Sequence, residues 1–342
     1  MPNLSLVSSD SEQLLPLEML PQYTSGEGRV FAVTNESLLS DSHLVALPKG
    51  PRLIAFGGSF SEQKAYSLLL NCLSKVVGNV VASQYQPCEQ LAPCMVVCGV
   101  QDIDKSELSQ WAESLDIEIA LVVDGPLLDK PGLLLMDMDS TAIKIECIDE
   151  IAALAGVGEQ VSAVTKCAMQ GELDFAQSLH QRVNALADTD EGVLKQVVDN
   201  LPLMDGLENL VTQLQSNNWQ VAIASGGFTY FTEHLKSKLN LTATFANVLE
   251  IKDGKLSGKV LGDVVDAQVK ADCLNRLAIE YGIEASQTVA VGDGANDLPM
   301  LAKAQLGVAF HAKPVVQQQA KVAVKLGRLD QLLYLLLPTI AA

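Results

Sequence analysis

The sequence of 342 residues carries 41 acidic and 23 basic side chains, a formal net charge of −18, and 48% of its residues are hydrophobic. This length suits two domains, and the apolar content excludes a disordered chain. The acidic balance argues against nucleic-acid binding, because a phosphate backbone attracts clustered Lys and Arg. No apolar run approaches the ~20 residues that span a bilayer, so we expect no membrane segment.

The cysteines and the N-terminus indicate the cellular compartment of the protein. The first apolar residues are not preceded by the basic segment of a secretory leader. The seven cysteines are odd in number and lack the spacing of a small disulfide scaffold or a zinc site, so we interpret them as buried reduced thiols. We therefore expect a cytoplasmic protein. A homodimer is allowed, and the sequence does not decide the oligomeric state.

Residues 1–125 are predicted to form an N-terminal α+β domain, although the first 50 or so give few signals beyond a strand near Val30–Thr34. The pattern after residue 51 has the order β-α-β-β-α-β of the ferredoxin-like plan. It loosely resembles small regulatory domains of the ACT type, which often sense amino acids, and a plain sandwich without a ligand site explains it equally. The predicted strands are Leu53–Phe56, Asn79–Gln86, Cys94–Val100 and Ile117–Val123, and the predicted helices are Glu62–Val77 and Lys105–Leu115.

Residues 131–342 have the pattern of an α/β domain with a Rossmann-like parallel sheet. Three apolar runs, Gly132–Met136, Gln220–Ala224 and Thr288–Val291, are each followed by polar residues and a helical pattern. The stretch from about 143 to 200 is helical throughout and predicts a cap inserted into the core. Phe245–Val264 predicts a hairpin, and Asp124–Pro131 predicts a linker between the domains.

The polar residues after these three strands carry the candidate chemistry. Asp137 and Asp139 can share one site only if the strand ends and the chain turns between them. Ser225-Gly226-Gly227 offers a hydroxyl and amide donors to a phosphate, whereas Asp293 and Asp297 suit a hard cation with oxygen ligands. Each motif alone also fits an ordinary cap or turn. Together with Lys270, on the predicted helix Ala267–Ile279, they point to phosphoryl transfer.

These residues closely resemble the four signatures of the haloacid dehalogenase superfamily, and within it the chain is most similar to the phosphoserine phosphatase family. The resemblance implies Mg²⁺-dependent hydrolysis of O-phospho-L-serine, the last step of serine biosynthesis, through an aspartyl-phosphate. It implies that Asp137 is the nucleophile and Asp139 the proton carrier. It also implies that Asp137, Asp293 and the backbone carbonyl of Asp139 bind Mg²⁺, with Asp297 outside the ligand set. The segments that carry this likeness are 146–150, 175–179, 225–228 and 245–247.

The resemblance also assigns substrate contacts. Ser225, the Gly226 amide and Lys270, assisted by Asn296, would hold the phosphoryl oxygens. In the cap, Glu146 would bind the substrate ammonium and Arg182 its carboxylate, although a solvated pair on a helix face fits them too. The apolar residues expected to line the pocket, unless they merely pack the cap, are Met169 and Phe175.

Two other functions stay open on the sequence. One is a related phosphatase or phosphotransferase that acts on another small phosphomonoester, since the core chemistry fixes the reaction and not the substrate. The other is an amino-acid-binding regulatory protein with a vestigial core. The intact set Asp137, Asp139, Lys270 and Asp293 argues against the second.

Overall fold

The computed structural model describes residues 31–33, 38–39, 50–57, 60–73, 80–100 and 103–338. They form two β-sheets, one of six strands and one of seven, with helices around them. The strand expected near Val30–Thr34 is present as Phe31–Val33, and most of the first 50 residues lie outside the described ranges. Within those ranges, no helix is both long enough and apolar enough to cross a bilayer.

The N-terminal sheet is antiparallel and confirms the predicted order of elements. In the sheet the strands follow the order β2-β1-β4-β5-β3-β6, and every neighbouring pair is antiparallel. Strands β3 to β6 and both helices thus form a ferredoxin-like unit, whereas amino-acid sensing stays a prediction. The elements are β1 (Phe31–Val33), β2 (Leu38–Leu39), β3 (Arg52–Phe56), α1 (Glu62–Leu73), β4 (Val80–Tyr85), β5 (Cys94–Cys98), α2 (Lys105–Leu115) and β6 (Glu118–Val122).

One face of this sheet packs against its own two helices. Leu53 on β3 and Met95 on β5 are buried in one cluster with Leu68 of α1 and Leu108 of α2. Asp104 caps the N-terminus of helix α2, because its carboxylate accepts a hydrogen bond from the Glu107 N–H at 2.9 Å. Such a cap satisfies a donor at the first turn of the helix that would otherwise lack a partner.

The second region is an α/β core, as predicted. Its sheet has the order β10-β9-β8-β7-β11-β12-β13 and is parallel from β9 to β13, with β10 as an antiparallel edge. Its elements are β7 (Leu133–Met136), α3 (Cys147–Leu154), α4 (Gly158–Met169), α5 (Phe175–Ala185), α6 (Gly192–Asp199), α7 (Leu207–Ser216), β8 (Gln220–Phe228), α8 (Thr229–Leu239), β9 (Ala243–Lys252), β10 (Lys255–Leu261), α9 (Ala267–Glu280), β11 (Thr288–Gly292), α10 (Leu298–Lys303), β12 (Leu306–Phe310), α11 (Pro314–Gln319) and β13 (Val322–Val324).

The central strands are apolar throughout because both faces of this sheet are covered. On β7, Leu134 and Met136 belong to the largest cluster of buried side chains, whereas Leu133 and Leu135 face a second cluster. This second cluster includes Leu274 of α9. Alternate residues of β7 therefore face two different apolar clusters, instead of one apolar and one polar side, as in other parallel sheets with both faces covered.

The inserted cap and the hairpin are also confirmed. Helices α3 to α6 occupy residues 147–199, within the predicted insertion. Strands β9 and β10 are joined at Asp253 and Gly254, which both have positive φ angles of 50° and 76°. A two-residue turn with this geometry matches the twist of the flanking strands.

The prediction that the second core strand ends at Ala224 is wrong. Strand β8 continues to Phe228, and its pairing with β9 is irregular between Ala224 and Phe228. Ala224 lies opposite Phe245 and Phe228 opposite Asn247, so three residues of β8 face one residue of β9. Ser225, Gly226 and Gly227 therefore form a bulge, defined here as the β8 bulge, rather than a turn after the strand.

Only one face of the N-terminal sheet packs against its own helices, since the other face joins the buried cluster of the second region. Ile54 and Phe56 on the other face share the largest buried cluster with Leu333 and Leu335 near the C-terminus. The rings of Phe56 and Tyr334 have centroids 5.0 Å apart. The two regions are joined by apolar burial as well as by the chain.

Polar contacts fix the same interface. The Tyr85 hydroxyl donates to the Leu336 carbonyl at 3.0 Å, and buried Glu118 accepts a hydrogen bond from the Lys325 N–H at 2.8 Å. The segment predicted as a linker is also fixed in place, because the Gln287 side-chain amide forms hydrogen bonds with both the N–H and the carbonyl of Leu127. The domain boundaries at 125 and 131 stay a prediction, but this connection is anchored.

The shared core predicts the effect of deleting residues 1–125. Removing the first sheet exposes the apolar face around Leu333 and Leu335, and exposed patches of that kind drive association. We expect the shortened chain to aggregate or to melt well below the full chain in size-exclusion and thermal-unfolding experiments. A monomeric fragment with the melting temperature of the full chain would contradict the shared core.

Candidate active site

Three neighbouring strands bring the candidate residues to one edge of the core sheet. In the order β8-β7-β11, Asp137 directly follows β7, Asp293 directly follows β11, and Ser225 begins the β8 bulge. The strands are parallel, so their carboxyl ends lie at the same edge, where open α/β sheets bind ligands. The three motifs therefore lie at one edge of the sheet.

Lys270 connects two of the aspartates at this edge. It lies on α9 and is 1% exposed, and its Nζ donates to Asp137 Oδ1 at 2.7 Å and to Asp297 Oδ1 at 2.9 Å. Asp137 is also held through its backbone, because its N–H donates to the Val291 carbonyl at 3.0 Å. These bonds fix one carboxylate oxygen of Asp137.

The charges of Lys270 and its neighbouring aspartates do not balance. Burial and repulsion from Asp297 raise the pKa of Asp137 well above its usual value, whereas Lys270 lowers it. Burial disfavours the charge of Lys270, but Asp137 and Asp297 outweigh it and raise the pKa of the ammonium. Burial, Asp297 and Glu146 raise the pKa of Asp293 to about 6. One ammonium among three carboxylates leaves an excess of negative charge.

This excess fits a divalent cation. Carboxylate oxygens of Asp137, Asp293 and Asp297 lie within 4.8 Å of one another, which is compatible with one ion. The two oxygens of Asp297 already accept hydrogen bonds from Lys270 and, at 3.0 Å, from the Gly294 N–H. Hard oxygen donors in this arrangement suit Mg²⁺. Assignment of the third ligand to the backbone carbonyl of Asp139 stays a prediction.

Asp139 is brought beside this group by a tight turn. The strand ends at Met136, and the chain reverses through Ser140, which adopts a positive φ of 58°. One oxygen of Asp139 accepts a hydrogen bond from the Cys147 N–H at the start of α3, at 3.0 Å. Burial and the charge of Glu146 raise the pKa of Asp139 to about 7. A carboxyl group in this state can both give and take a proton near neutral pH.

Ser225 and the two glycines of the β8 bulge lie against both the core and the cap. The Ser225 side chain is buried and accepts a hydrogen bond from the Gly227 N–H at 2.8 Å. A Cβ on Gly226 would lie 2.7 Å from the Phe175 ring, and one on Gly227 would lie 2.7 Å from Asp139 Oδ2. A larger residue at either position would therefore push Phe175 or Asp139 away from the β8 bulge.

The two predicted recognition residues of the cap face the same site. Glu146 precedes α3 and accepts a hydrogen bond from the Ser140 hydroxyl at 2.8 Å. Arg182 lies on α5, and its Nε is buried without a hydrogen-bond partner among the described residues. Burial lowers the pKa of Arg182, opposed by the charges of Asp149, Glu146 and Asp139. An unpaired buried donor is costly, so this Nε suits an anionic ligand group.

The remaining predicted residues differ in placement. Phe175 meets the β8 bulge, as its distance from Gly226 shows. Asn296 is half-buried in the short turn between Gly294 and Asp297. Met169 ends α4 with a relative exposure of 74%, so this conformation does not place it in a buried pocket wall.

Two contacts at the site involve Thr141 and Cys147, for which the sequence predicted no role. The buried Thr141 hydroxyl donates to Asp293 Oδ1 at 3.4 Å, and the backbone of Cys147 binds Asp139. Thr141 stands inside the first motif, so its position could have suggested a polar contact. The hydrogen bond from Cys147 at 3.0 Å is donated by its backbone N–H, which every residue except proline carries, so its residue type does not reveal the contact.

Comparisons with known proteins agree with this geometry. A phosphoserine phosphatase from Haemophilus influenzae is 55% identical over 231 residues, which are 68% of this chain and 74% of the relative. A crystal structure of a probable phosphoserine phosphatase from Vibrio cholerae, in unliganded form, superposes with a TM-score of 0.70 at 45% identity and covers 84% of this chain and 86% of that one.

A second similar structure contains an analogue of a reaction intermediate. It is described as a phospho-aspartyl intermediate analogue of phosphoserine phosphatase, and it has a TM-score of 0.57 at 42% identity, covering 60% of this chain and 98% of that one. Residues 132–305 match the sequence model of a family described as haloacid dehalogenase-like hydrolases. With its relatives, its parallel sheet and its cluster of aspartates, the chain belongs to the haloacid dehalogenase-like hydrolases.

Proposed function

We propose that the chain hydrolyses O-phospho-L-serine to L-serine and phosphate through an aspartyl-phosphate on Asp137. The observation that carries this proposal is the buried contact of Lys270 with Asp137, which holds one oxygen of the carboxylate at 2.7 Å. A fixed carboxylate with one oxygen tied is suited to attack with the other. The similarity to phosphoserine phosphatases supports the choice of substrate.

The reaction proceeds in two displacements. In the first, an oxygen of Asp137 forms a bond to phosphorus, the bond from phosphorus to the serine oxygen breaks, and Asp139 gives its proton to that oxygen. In the second, water attacks phosphorus while Asp139 takes a proton from it, and the bond from Asp137 to phosphorus breaks to release phosphate. The pKa of about 7 that burial and Glu146 give Asp139 suits both steps.

Ser225, the Gly226 amide and Lys270 hold the phosphoryl oxygens, with Asn296 beside them. Asp137, Asp293 and the Asp139 carbonyl would hold Mg²⁺, and Asp297 positions Lys270. When bound, the ion neutralises charge on the phosphoryl group. This assignment is supported by the negative excess of the aspartate cluster.

Specificity for the amino-acid part comes from the cap. Arg182 binds the substrate carboxylate, which supplies the partner that its buried Nε lacks, and Glu146 binds the ammonium. Phe175 covers the β8 bulge from the cap side, and Met169 joins the pocket wall only if α4 moves toward it.

The proposal places the enzyme in the cytoplasm as a single catalytic chain. Five of the seven cysteines, Cys72, Cys94, Cys98, Cys147 and Cys273, are buried free thiols, which suits a reducing compartment. A homodimer is compatible with the proposal and is not required, because each residue named in the reaction comes from one chain.

Asp137→Asn should abolish turnover of phosphoserine while the protein stays folded, because it removes the nucleophile and keeps the shape. Asp139→Asn should lower kcat by about 10²–10⁴-fold, the usual contribution of a proton carrier. The control is Asp272→Asn, an exposed change on the same helix as Lys270. Steady-state phosphate release with Mg²⁺ measures all three. Substantial turnover by Asp137→Asn would refute the covalent route.

Arg182→Ala should raise KM for phosphoserine far more than for an aryl phosphate without a carboxylate, since the lost contact reaches only the amino-acid part. Arg182→Lys is the matched variant, because it keeps the charge but lacks the planar fork. We expect it to recover only part of the loss. Equal losses on both substrates would mean that Arg182 supports the fold or the phosphoryl group.

Asp293→Asn should weaken Mg²⁺ binding, measured by calorimetry, and raise the Mg²⁺ concentration needed for half-maximal phosphate release. The reason is that the change removes one of the clustered carboxylate charges. Asp253→Asn, at the exposed tip of the hairpin, should leave both values unchanged. Full activity after dialysis against a chelator would exclude the metal site.

A further inference from the structure

Asn247 is a buried residue of β9 that the proposed reaction does not use. Its side chain is 1% exposed, and its amide joins two backbone segments. The Nδ2 atom donates to the Gly226 carbonyl at 2.8 Å, and the Oδ1 atom accepts from the Val265 N–H at 2.9 Å. Both segments lead directly to groups of the active site.

The first bond holds the β8 bulge. Three residues of β8 face one of β9 there, so the regular ladder of backbone hydrogen bonds is interrupted, and Asn247 supplies a donor for the Gly226 carbonyl. This carbonyl belongs to the same planar peptide unit as the Gly227 N–H, which binds the Ser225 hydroxyl oxygen. Fixing the carbonyl therefore also fixes the direction of that N–H and the position of Ser225.

The second bond holds the approach to α9. Val265 precedes Asp266, which caps α9 by accepting a hydrogen bond from the Val269 N–H at 2.9 Å. Lys270 follows in the first turns of this helix. One rigid amide thus lies between the bulge on one side and the helix that carries the ammonium on the other.

We infer that Asn247 is a positioning residue that sets the separation between the phosphoryl-binding β8 bulge and Lys270. The inference rests on the proposed function, which assigns Ser225, Gly226 and Lys270 to the phosphoryl oxygens. Asn247 acts through the backbone, because its two hydrogen bonds are made to a carbonyl and an N–H. Its effect must therefore appear in how well the phosphoryl group is held, and not in recognition of the amino-acid part.

Asparagine is the side chain that this position requires. Its side-chain amide presents a donor nitrogen and an acceptor oxygen in a single plane. Asn247→Asp keeps an acceptor for the Val265 N–H but turns a second oxygen toward the Gly226 carbonyl. Asn247→Ala removes both contacts, and Asn247→Ser is a smaller polar variant for use if these two do not fold.

Gln287 offers a matched control at the opposite end of the sheet. It is 5% exposed, and its amide also bridges backbone, donating to the Leu127 carbonyl at 3.0 Å and accepting from the Leu127 N–H at 2.8 Å. It immediately precedes β11, at the amino ends of the strands. Gln287→Ala therefore removes a similar buried amide far along the strand from the catalytic edge.

The experiment compares wild type, the Asn247 variants and Gln287→Ala with Mg²⁺ present. We measure kcat and KM on phosphoserine and on an aryl phosphate, binding of inorganic phosphate by calorimetry, and the melting temperature. Folded Asn247 variants should lose about 10–100-fold in kcat on both substrates, as misplaced catalytic groups do, and should bind phosphate more weakly. Gln287→Ala should lower the melting temperature and keep kcat and phosphate binding.

Two results would overturn the inference. One is a folded Asn247→Asp or Asn247→Ser protein with wild-type kcat and phosphate binding. The other is an equal loss of kcat and phosphate binding in Gln287→Ala, which would show that loss of any buried amide disturbs the site. Failure of the proposed function would appear separately, because the wild-type protein would then not hydrolyse phosphoserine. In that case, the Asn247 inference is still tested by phosphate binding and by hydrolysis of the aryl phosphate.

Discussion

The buried ammonium of Lys270 is the constraint on which the site depends. A charge that is 1% exposed is tolerated only when it is paired, and here Asp137 and Asp297 supply the partners at 2.7 and 2.9 Å. The two carboxylates follow different strands, and the ammonium comes from α9. The ion pairs therefore hold β7 to α9 and to the turn after β11, which lie more than 100 residues further along the chain.

The cap completes the electrostatics of the core. Glu146 of the cap is one cause of the raised pKa of Asp139, and Asp149, Glu146 and Asp139 oppose the effect of burial on Arg182. In the proposed reaction, proton transfer by Asp139 and recognition of the substrate by Arg182 are thus both affected by the position of the cap. The close approach of Phe175 to Gly226 links the same cap to the β8 bulge, which we propose binds the phosphoryl group.

The N-terminal sheet has a different relation to the enzyme. Each residue proposed to act in catalysis lies after residue 131, whereas Ile54 and Phe56 share their buried cluster with the C-terminal Leu333 and Leu335. The first sheet therefore covers apolar surface of the catalytic region without supplying a reacting group. The first sheet therefore contributes to stability, since the shared cluster is buried only when both regions are present.

Much of this protein is determined locally by its sequence. The runs before Asp137 and Asp293 are apolar because both faces of their strands are buried, and the polar residues that follow mark one edge of a parallel sheet. Only the tertiary structure decided the length of β8, the links made by Asn247, the exposure of Met169 and the shared core. These features depend on contacts between segments distant in sequence, and a residue's local pattern does not record which distant backbone or side chain it meets.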